Sequence, residues 1–323
     1  MLRLIGVVAL IISVAACGSD SSEDGADADG RVEVVASFYP VAEAAQRVGG
    51  DLVRVVNLTR PGTEPHDIEL SPPQVDRLQD ADLVLYLGQG FQPAVEEIAE
   101  RRRTGAVDLL EVVELEEGAA GFDAHGDRGD AEEDHGDEAA GEAHAEEGAL
   151  DPHFWLDPTR MARAVDGVEQ ALAKVAPEHG DAFSANAQRY KQALAALDEE
   201  FAATLKGCQR RLLVTSHAAF HYLAARYDLE HRPIAGLSPE TEPNPARLAE
   251  LADLIRREGV ITVFYETLVA PDVAETLAGD AGVKTSVLNP LEGLTQEEID
   301  QGKDYAAVMR ENLAALAGPL GCR

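Results

Sequence analysis

The alternation of short apolar runs with amphipathic segments is the feature that most restricts how this chain can fold. From Arg31 onward, VEVVAS, DLVRVVNL and DLVLYLG have the composition of buried strands, and helix-forming segments separate them. A second series, RRLLVTS, LEHRPIA, ITVFYE and KTSVL, repeats this pattern towards the C-terminus. Strands that alternate with helices form parallel sheets with helices on both faces. The sequence therefore predicts an α/β fold with two such sheets.

A long helix-compatible stretch lies between the two series. It is rich in Ala, Leu, Glu, Gln and Arg, and a break is expected near Pro177 or Gly180. We therefore predict two lobes joined by one long helix. The predicted divisions are an N-terminal lobe over 31–158, a linking helix over 159–206 and a C-terminal lobe over 207–323.

The N-terminus has the pattern of an export signal. An arginine precedes an apolar run over 4–14 that is too short to span a bilayer, and small residues follow up to Cys17. The end of the run, VAAC, is similar to the bacterial lipobox, whose cysteine becomes the lipidated first residue of the mature chain. An ordinary secretory signal with an incidental cysteine is the alternative. We expect a lipoprotein signal peptide over 1–17, a flexible tether over 18–30 and an exported protein, either lipid-anchored on the outer face of the cytoplasmic membrane or periplasmic.

Acidic residues far outnumber basic ones in this chain. The 59 Asp and Glu against 27 Lys and Arg give a formal net charge of −32, which argues against a nucleic-acid partner because such binding needs basic surface. Much of the charge lies in 116–148, an Ala/Gly-rich run that cannot bury enough apolar surface to fold, so we predict a disordered insertion. Its histidines, His125, His135 and His144, are candidates for weak auxiliary zinc sites. A solvated loop without a specific role is the alternative.

Two cysteines remain besides Cys17. In an oxidising compartment, a disulfide between Cys208 and Cys322 would tie the C-terminus to the start of the second lobe. In the chain-entropy model a loop of that size contributes up to about 4–5 kcal/mol of stability. Two free thiols are the alternative.

Three histidines occupy the places where ligands bind in open α/β sheets, which are the loops that follow strands. His66 lies in RPGTEPHDIELSP, His153 in the turn DPHFWLDP, and His217 directly after RRLLVTS. Prolines flank the first two and limit loop motion. Neutral imidazole is the commonest protein ligand for zinc. Each histidine alone could equally be a surface or hydrogen-bonded residue, but together they favour a metal site.

The chain resembles the substrate-binding lipoproteins of bacterial zinc and manganese uptake ABC transporters, the cluster A-I proteins of solute-binding family 9. The matching pieces run through the mature chain in family order: the lipobox, SFYP, GTEPHDIELSP, the His/acid-rich insertion, DPHFWLDP, TSHAAFHYLA, FYETLVAP and VLNPLEGLT. The resemblance implies a metal ion bound in the cleft between two lobes by four side chains, two from each lobe. It also implies delivery of that ion to a membrane permease.

The resemblance assigns the ligands by motif. They are His66, His153, His217 and, in NPLEG, Glu292. Glu266 in FYETL is the alternative fourth ligand, or a residue that holds a ligand histidine by a hydrogen bond. Asn289, where many relatives have Asp, is not expected to ligate.

The same resemblance indicates Zn²⁺ as the transported ion. Nitrogen-rich tetrahedral sites suit zinc, whereas Mn²⁺ prefers more oxygen ligands, and family members that handle manganese usually have a carboxylate where His217 stands. The expected partners are an ABC permease and, through the lipid on Cys17, the membrane; we expect a monomer whose lobes close only slightly.

Three other classes of protein remain alternatives: a manganese-binding homologue, a surface adhesin and a hydrolytic zinc enzyme. The chain lacks HExxH, a nucleophile elbow and a phosphate-binding loop, so we expect no enzyme. The candidate bases Glu240 and Glu242 are expected to cap a helix or line the cleft rim. The remaining histidines outside the insertion, His179, His221 and His231, are expected to be neighbours or packing residues.

Overall fold

The computed structural model describes residues 30–118, 150–241 and 243–323. The predicted lipobox with Cys17, the tether up to residue 29, most of the insertion with its three histidines, and Glu242 lie outside the described residues. Among the helices that are described, none combines the length and apolar character needed to cross a membrane.

The N-terminal lobe is built on a four-stranded parallel sheet. Its strands are β1 (Val32–Ala36), β2 (Val53–Asn57), β3 (Leu83–Tyr86) and β4 (Ala106–Asp108), in the order β2-β1-β3-β4. Its helices are α1 (Tyr39–Gly49), α2 (Pro72–Asp80) and α3 (Pro93–Glu100). The sequence patterns predict neither α3 nor β4. All four residues of β3 are buried, as expected for a strand of a parallel sheet with both faces covered.

The linking segment consists of two helices, α4 (Pro158–Val175) and α5 (Gly180–Leu205), which pack against each other. A 3₁₀ turn over Pro177–His179 separates them. Pro177 disfavours helical backbone at the residue before it, and Ala176 has φ −137° and ψ 71°. The expected break is therefore present. Helix α4 packs on α1 and β3 of the N-terminal lobe. Helix α5 is the long helix that joins the lobes, because it packs on α1 and also on the last helix of the C-terminal lobe.

The C-terminal lobe repeats the strand order of the first. Its strands are β5 (Leu212–Thr215), β6 (Glu230–Pro233), β7 (Thr262–Tyr265) and β8 (Lys284–Val287), all parallel, in the order β6-β5-β7-β8. Its helices are α6 (His221–Arg226), α7 (Pro245–Glu258), α8 (Asp272–Ala281), α9 (Gln296–Asp300) and α10 (Tyr305–Leu320). The two-sheet α/β prediction is thus confirmed.

The helical segment that follows β8 is divided into two helices, α9 and α10. Gly302 has a left-handed backbone with φ 69° between α9 and α10, a conformation that glycine adopts without steric cost. The Asp304 side chain then accepts a hydrogen bond from the Ala307 amide and caps α10. A glycine followed by a capping aspartate therefore ends one helix and starts the next.

The largest hydrophobic core runs through both lobes and the linking helices. Its fully buried aromatic members come from every part of the fold: Phe38, Trp155, Phe201, Phe220 and Tyr305. Each lobe also has a smaller core on the outer side of its sheet. The predicted Cys208–Cys322 disulfide is present and joins the residues before β5 to the C-terminus. The lobes therefore share one packed interior.

Candidate metal centre

His66 is presented by the loop between β2 and α2. Its amide donates to both carboxylate oxygens of Glu64, at 3.0 Å each. The preceding carbonyl, of Pro65, accepts a hydrogen bond of 3.1 Å from the buried amide of Gln92, which also contacts Thr59 Oγ1 at 3.3 Å. The loop is thus held from both sides, and the His66 side chain is 9% exposed.

His153 stands in a turn that Asp151 organises. One oxygen of Asp151 accepts from the His153 amide at 2.9 Å and lies 2.7 Å from the imidazole Nδ1. Both side chains are fully buried. A carboxylate at Nδ1 fixes the ring tautomer and directs the Nε2 lone pair away from it. Asp151 is not among the residues expected from the sequence, although an Asp two residues before a histidine in a proline turn is a usable signal.

The same turn is fastened to the C-terminal lobe by Trp155. Its indole Nε1 donates to the Pro290 carbonyl at 2.7 Å, and the Tyr305 hydroxyl donates to the Trp155 carbonyl at 2.6 Å. All these groups are buried, so their bonds are not exchanged for bonds to water. The His153 turn and the loop of Glu292 are therefore connected directly across the cleft.

His217 follows β5 and is oriented by Glu266, which follows β7. The His217 Nδ1 lies 2.5 Å from Glu266 Oε1, and both side chains are essentially buried. This arrangement places Glu266 behind the imidazole, as Asp151 lies behind His153. Of the two roles expected for Glu266, this contact is the one in which its carboxylate holds a histidine by a hydrogen bond.

Glu292 follows β8 in a loop with an unusual backbone. Leu291 has φ 60°, a left-handed conformation that costs a non-glycine residue roughly 1–2 kcal/mol. Its amide donates to Asn289 Oδ1 at 2.8 Å, while the Asn289 backbone exchanges two hydrogen bonds with the side chain of Asn312. The Asn289 side chain therefore holds the turn that carries Glu292, through its bond to the Leu291 amide.

The four residues converge at one point between the lobes. Glu292 Oε1 lies 3.5 Å from the Nε2 atom of His66, 3.4 Å from that of His153 and 3.2 Å from that of His217. A tetrahedral zinc ion with bonds of about 2.0–2.1 Å separates its ligand atoms by about 3.3–3.4 Å. The three separations from Glu292 are therefore close to the edges of a zinc tetrahedron, and all four ligand atoms lie within 4.8 Å of one another.

Several polar atoms of this cluster have no hydrogen bond within the described part of the chain. They are Nε2 of His66, Nε2 of His153 and Oε2 of Glu292. Buried polar atoms without partners are costly and rare. The donor set therefore has the shape, the chemistry and the unused lone pairs that fit a zinc ion.

Charges within the cluster are strongly coupled. Burial opposes a positive charge on His217, but the carboxylates of Glu266 and Glu292 outweigh it and hold the pKa of His217 well above its usual value. Burial likewise opposes the Glu292 carboxylate, yet His217 and the surrounding imidazoles hold its pKa well below the usual range. For His66, burial dominates and lowers the pKa. Without metal, the cluster therefore favours a proton on His217 over one on His66.

The other titratable residues singled out from the sequence lie elsewhere. His221 is not in the cluster; its Nε2 lies 3.4 Å from Glu116 Oε2. His231 is buried and contacts Thr215, and His179 packs its ring near Phe183. Glu240 is exposed near Glu64 and Asp67 at the cleft rim.

This pairing of two parallel α/β lobes with a buried His₃Glu cluster between them defines the two-lobed substrate-binding class of protein. A family profile described as "ZnuA: Zinc-uptake complex component A periplasmic" matches residues 34–318. The chain belongs to this zinc-uptake component A family.

Named relatives agree with that membership. The chain is 35% identical over 318 residues to the high-affinity zinc uptake system protein ZnuA of Bacillus subtilis, covering 97% of this chain and 96% of that one. It is 38% identical over 298 residues to the zinc-binding lipoprotein AdcA of Streptococcus pneumoniae, covering 90% of this chain but 56% of AdcA. The chain thus spans about half the length of the AdcA relatives.

A solved structure has the same fold. The crystal structure of the Zn(II)-bound ZnuA-like domain of S. pneumoniae AdcA superposes with a TM-score of 0.71 at 33% identity, covering 90% of this chain and 99% of that domain.

Proposed function

We propose that this protein is the extracytoplasmic zinc-binding component of an ABC-type uptake system. It captures Zn²⁺ in the interlobe cleft with His66, His153, His217 and Glu292 and delivers the ion to a membrane permease. The observation that carries the proposal is the match between the 3.2–3.5 Å separations from Glu292 Oε1 to the three Nε2 atoms and the edges of a zinc tetrahedron.

Two further features support zinc as the cargo. Three imidazoles and one carboxylate form a nitrogen-rich set that suits Zn²⁺ better than Mn²⁺. Asp151 and Glu266 hold the Nδ1 atoms of two imidazoles, which directs their Nε2 lone pairs to one point. Because these bonds hold the two rings in place, the ligands lose little freedom when the ion binds.

The same geometry supports a carrier over an enzyme. Catalytic zinc sites keep one coordination position for water, whereas four protein ligands fill a tetrahedron. A site with four buried ligands therefore binds the ion and releases it when the ligands separate. On this proposal the permease separates them by opening the cleft, and the lipid on Cys17 keeps the protein at the membrane.

Titration calorimetry with Zn²⁺ and Mn²⁺, using a chelator to measure the tightest site, tests the proposal on the full chain. We expect one tight site that prefers Zn²⁺. Glu292→Gln removes a ligand charge and weakens binding most, whereas Glu266→Gln removes an outer hydrogen-bond partner and weakens it about 10- to 100-fold. Glu199→Gln, at an exposed glutamate of α5, is the control and leaves the affinity unchanged.

Two results would contradict this scheme. Equal affinity for both metals would refute zinc as the selected cargo. Full affinity in Glu292→Gln together with a large loss in Glu266→Gln would exchange the roles of the two glutamates.

A further inference from the structure

We propose that Thr215 and His231 are positioning residues for the ligand His217. The inference rests on the zinc-binding function proposed above and adds two residues that act on the site through the backbone. Thr215 is the last residue of β5 and His231 lies in the neighbouring strand β6. Both are buried, at 1% and 6% exposure.

A short chain of hydrogen bonds connects these residues. Thr215 Oγ1 lies 2.7 Å from the His217 carbonyl oxygen and 2.8 Å from His231 Nε2. A carbonyl oxygen carries no proton, so the threonine hydroxyl must donate to it. The hydroxyl then has only lone pairs left for His231, whose Nε2 must therefore carry the hydrogen. The chain runs from His231 to Thr215 to His217 and fixes the tautomer of His231.

The other ring nitrogen of His231 contributes nothing to this chain. Its Nδ1 is buried and has no hydrogen-bond partner among the residues that the structure describes. In the tautomer assigned above, Nδ1 is a bare acceptor. Within the described structure, the His231 imidazole thus makes one hydrogen bond, to Thr215. Thr215 in turn is bonded to His217, the proposed metal ligand.

The carbonyl that Thr215 holds belongs to a tightly constrained turn. His217 is extended, with φ −135° and ψ −179°, directly before the 3₁₀ turn Ala218–Phe220. On its far side the Ala218 amide donates to the Gly236 carbonyl at 2.9 Å. Glu266 fixes the imidazole ring, whereas Thr215 fixes the main chain from which that ring projects. Loss of the hydroxyl leaves a buried carbonyl without this donor, and the turn can then shift.

Zinc titration of Thr215 variants in the full chain provides the test. Thr215→Val keeps the shape but removes the hydroxyl, and we expect about 10-fold weaker Zn²⁺ binding, in the range found for residues that orient ligands. Thr215→Ser restores the hydroxyl and should recover most of the affinity. Thr262→Val, at a buried threonine of the adjacent strand β7, is the matched control and should bind like the parent.

The same comparison applies to the histidine. His231→Gln retains an N–H donor and should bind zinc better than His231→Leu, which has none. If Thr215→Val binds like the parent chain, or if Thr262→Val loses as much affinity, the positioning role is wrong. The Co²⁺ absorption spectrum adds a readout of ligand geometry, and a spectrum unchanged in Thr215→Val would also count against it.

A measurement on the metal-free protein separates this inference from the proposed function. Two-bond ¹H–¹⁵N NMR correlations report the tautomer of His231, and we expect the Nε2–H form in the parent chain and a mixture in Thr215→Val. An Nδ1–H tautomer in the parent chain would overturn the inference even if zinc binds. Failure of the parent to bind zinc would overturn the proposed function while this spectrum still decides whether the hydrogen-bond chain exists.

Discussion

The His217 ring lies close to two carboxylates, at 2.5 Å from Glu266 and 3.2 Å from Glu292. The carboxylates nearest the His66 ring are farther away, at 3.5 Å for Glu292 and 3.9 Å for Glu64. This difference favours a proton on His217 over His66 when no metal is bound. The pKa of His217 is held well above its usual value and that of His66 below it. For His153, burial opposes the charge, but Asp151 and Glu292 together raise the pKa. Zinc needs all three imidazoles neutral, so binding must release protons.

The directions of these pKa shifts determine how the zinc affinity changes with pH. Because the metal-free pKa values of His153 and His217 are raised, protons already compete with zinc at neutral pH, and competition grows as the pH falls. Glu292 has a lowered pKa and stays ionised in this range. We expect the zinc affinity to fall steadily from pH 7.5 to 5.5, as measured by competition with a chelator of known pH dependence. An affinity that is constant over this range would contradict a three-histidine site.

At the residue scale, the sequence predicts the proposed ligands better than the residues that hold those ligands in position. His66, His153 and His217 could be selected because each lies in a loop next to proline or a strand end, and Glu292 through the likeness of VLNPLEGLT to its family. Asp151, Gln92 and Thr215 are ordinary polar residues in sequence. Apart from the position of Asp151 two residues before His153, no local pattern marks them, because their roles depend on which groups the fold brings within hydrogen-bond distance.

Among the elements, the turn from Asp151 to Asp157 acts on the site from both lobes, because it carries His153 and contacts the loop of Glu292. Trp155 is fully buried, and its indole reaches the carbonyl of Pro290, two residues before Glu292. The Asp157 side chain accepts from the Thr159 amide at 2.8 Å and starts α4. One short segment thus fixes His153, supports the Glu292 loop and begins the linking helices.

Removal of the indole N–H should therefore affect both stability and binding. Trp155→Phe keeps an aromatic ring but leaves the buried Pro290 carbonyl without its donor, which costs about 1–3 kcal/mol. We expect a lower free energy of unfolding in urea and weaker zinc binding. Tyr305→Phe removes the neighbouring bond to the Trp155 carbonyl and is the control, with a similar loss of stability but a smaller loss of affinity. Equal losses of affinity in the two variants would refute a specific effect on the Glu292 loop.

The elements that the sequence did not reveal have weak local signals. β4 has three residues, all partly exposed, so it lacks the apolar run that marks β1 or β3. Helix α3 has eight residues, too few for a clear helical period. By contrast, β1, β3 and β5 are apolar and almost completely buried. Strands of this kind are thus the elements that the sequence predicts most readily.

On the scale of the whole molecule, the continuous core limits how far the lobes can separate. The main core includes side chains of both lobes and of α5, and α5 packs on both α1 and α10. A large rotation would expose part of this core to water, at about 25 cal/mol for each Å² of apolar surface. Removal of zinc should therefore open the cleft by local movement of loops.

Small-angle X-ray scattering of the metal-free and zinc-loaded protein measures how far the lobes separate when zinc is removed. We expect nearly equal radii of gyration, in contrast to binding proteins whose lobes are joined by flexible hinge strands. A Glu292→Gln sample treated with the same zinc concentration controls for effects of the metal outside the cleft. A clear compaction that occurs with the parent chain and not with this variant would refute the limited-closure prediction.

The indole that bridges the two lobes has an optical consequence. Trp155 is the only tryptophan of the chain, and its ring centroid lies 5.1 Å from that of His153. All tryptophan emission therefore originates beside the proposed zinc site, where binding of a divalent cation changes the local electric field. Fluorescence of the unlabelled protein should thus follow its occupancy in real time, with no second fluorophore of this type to obscure the signal.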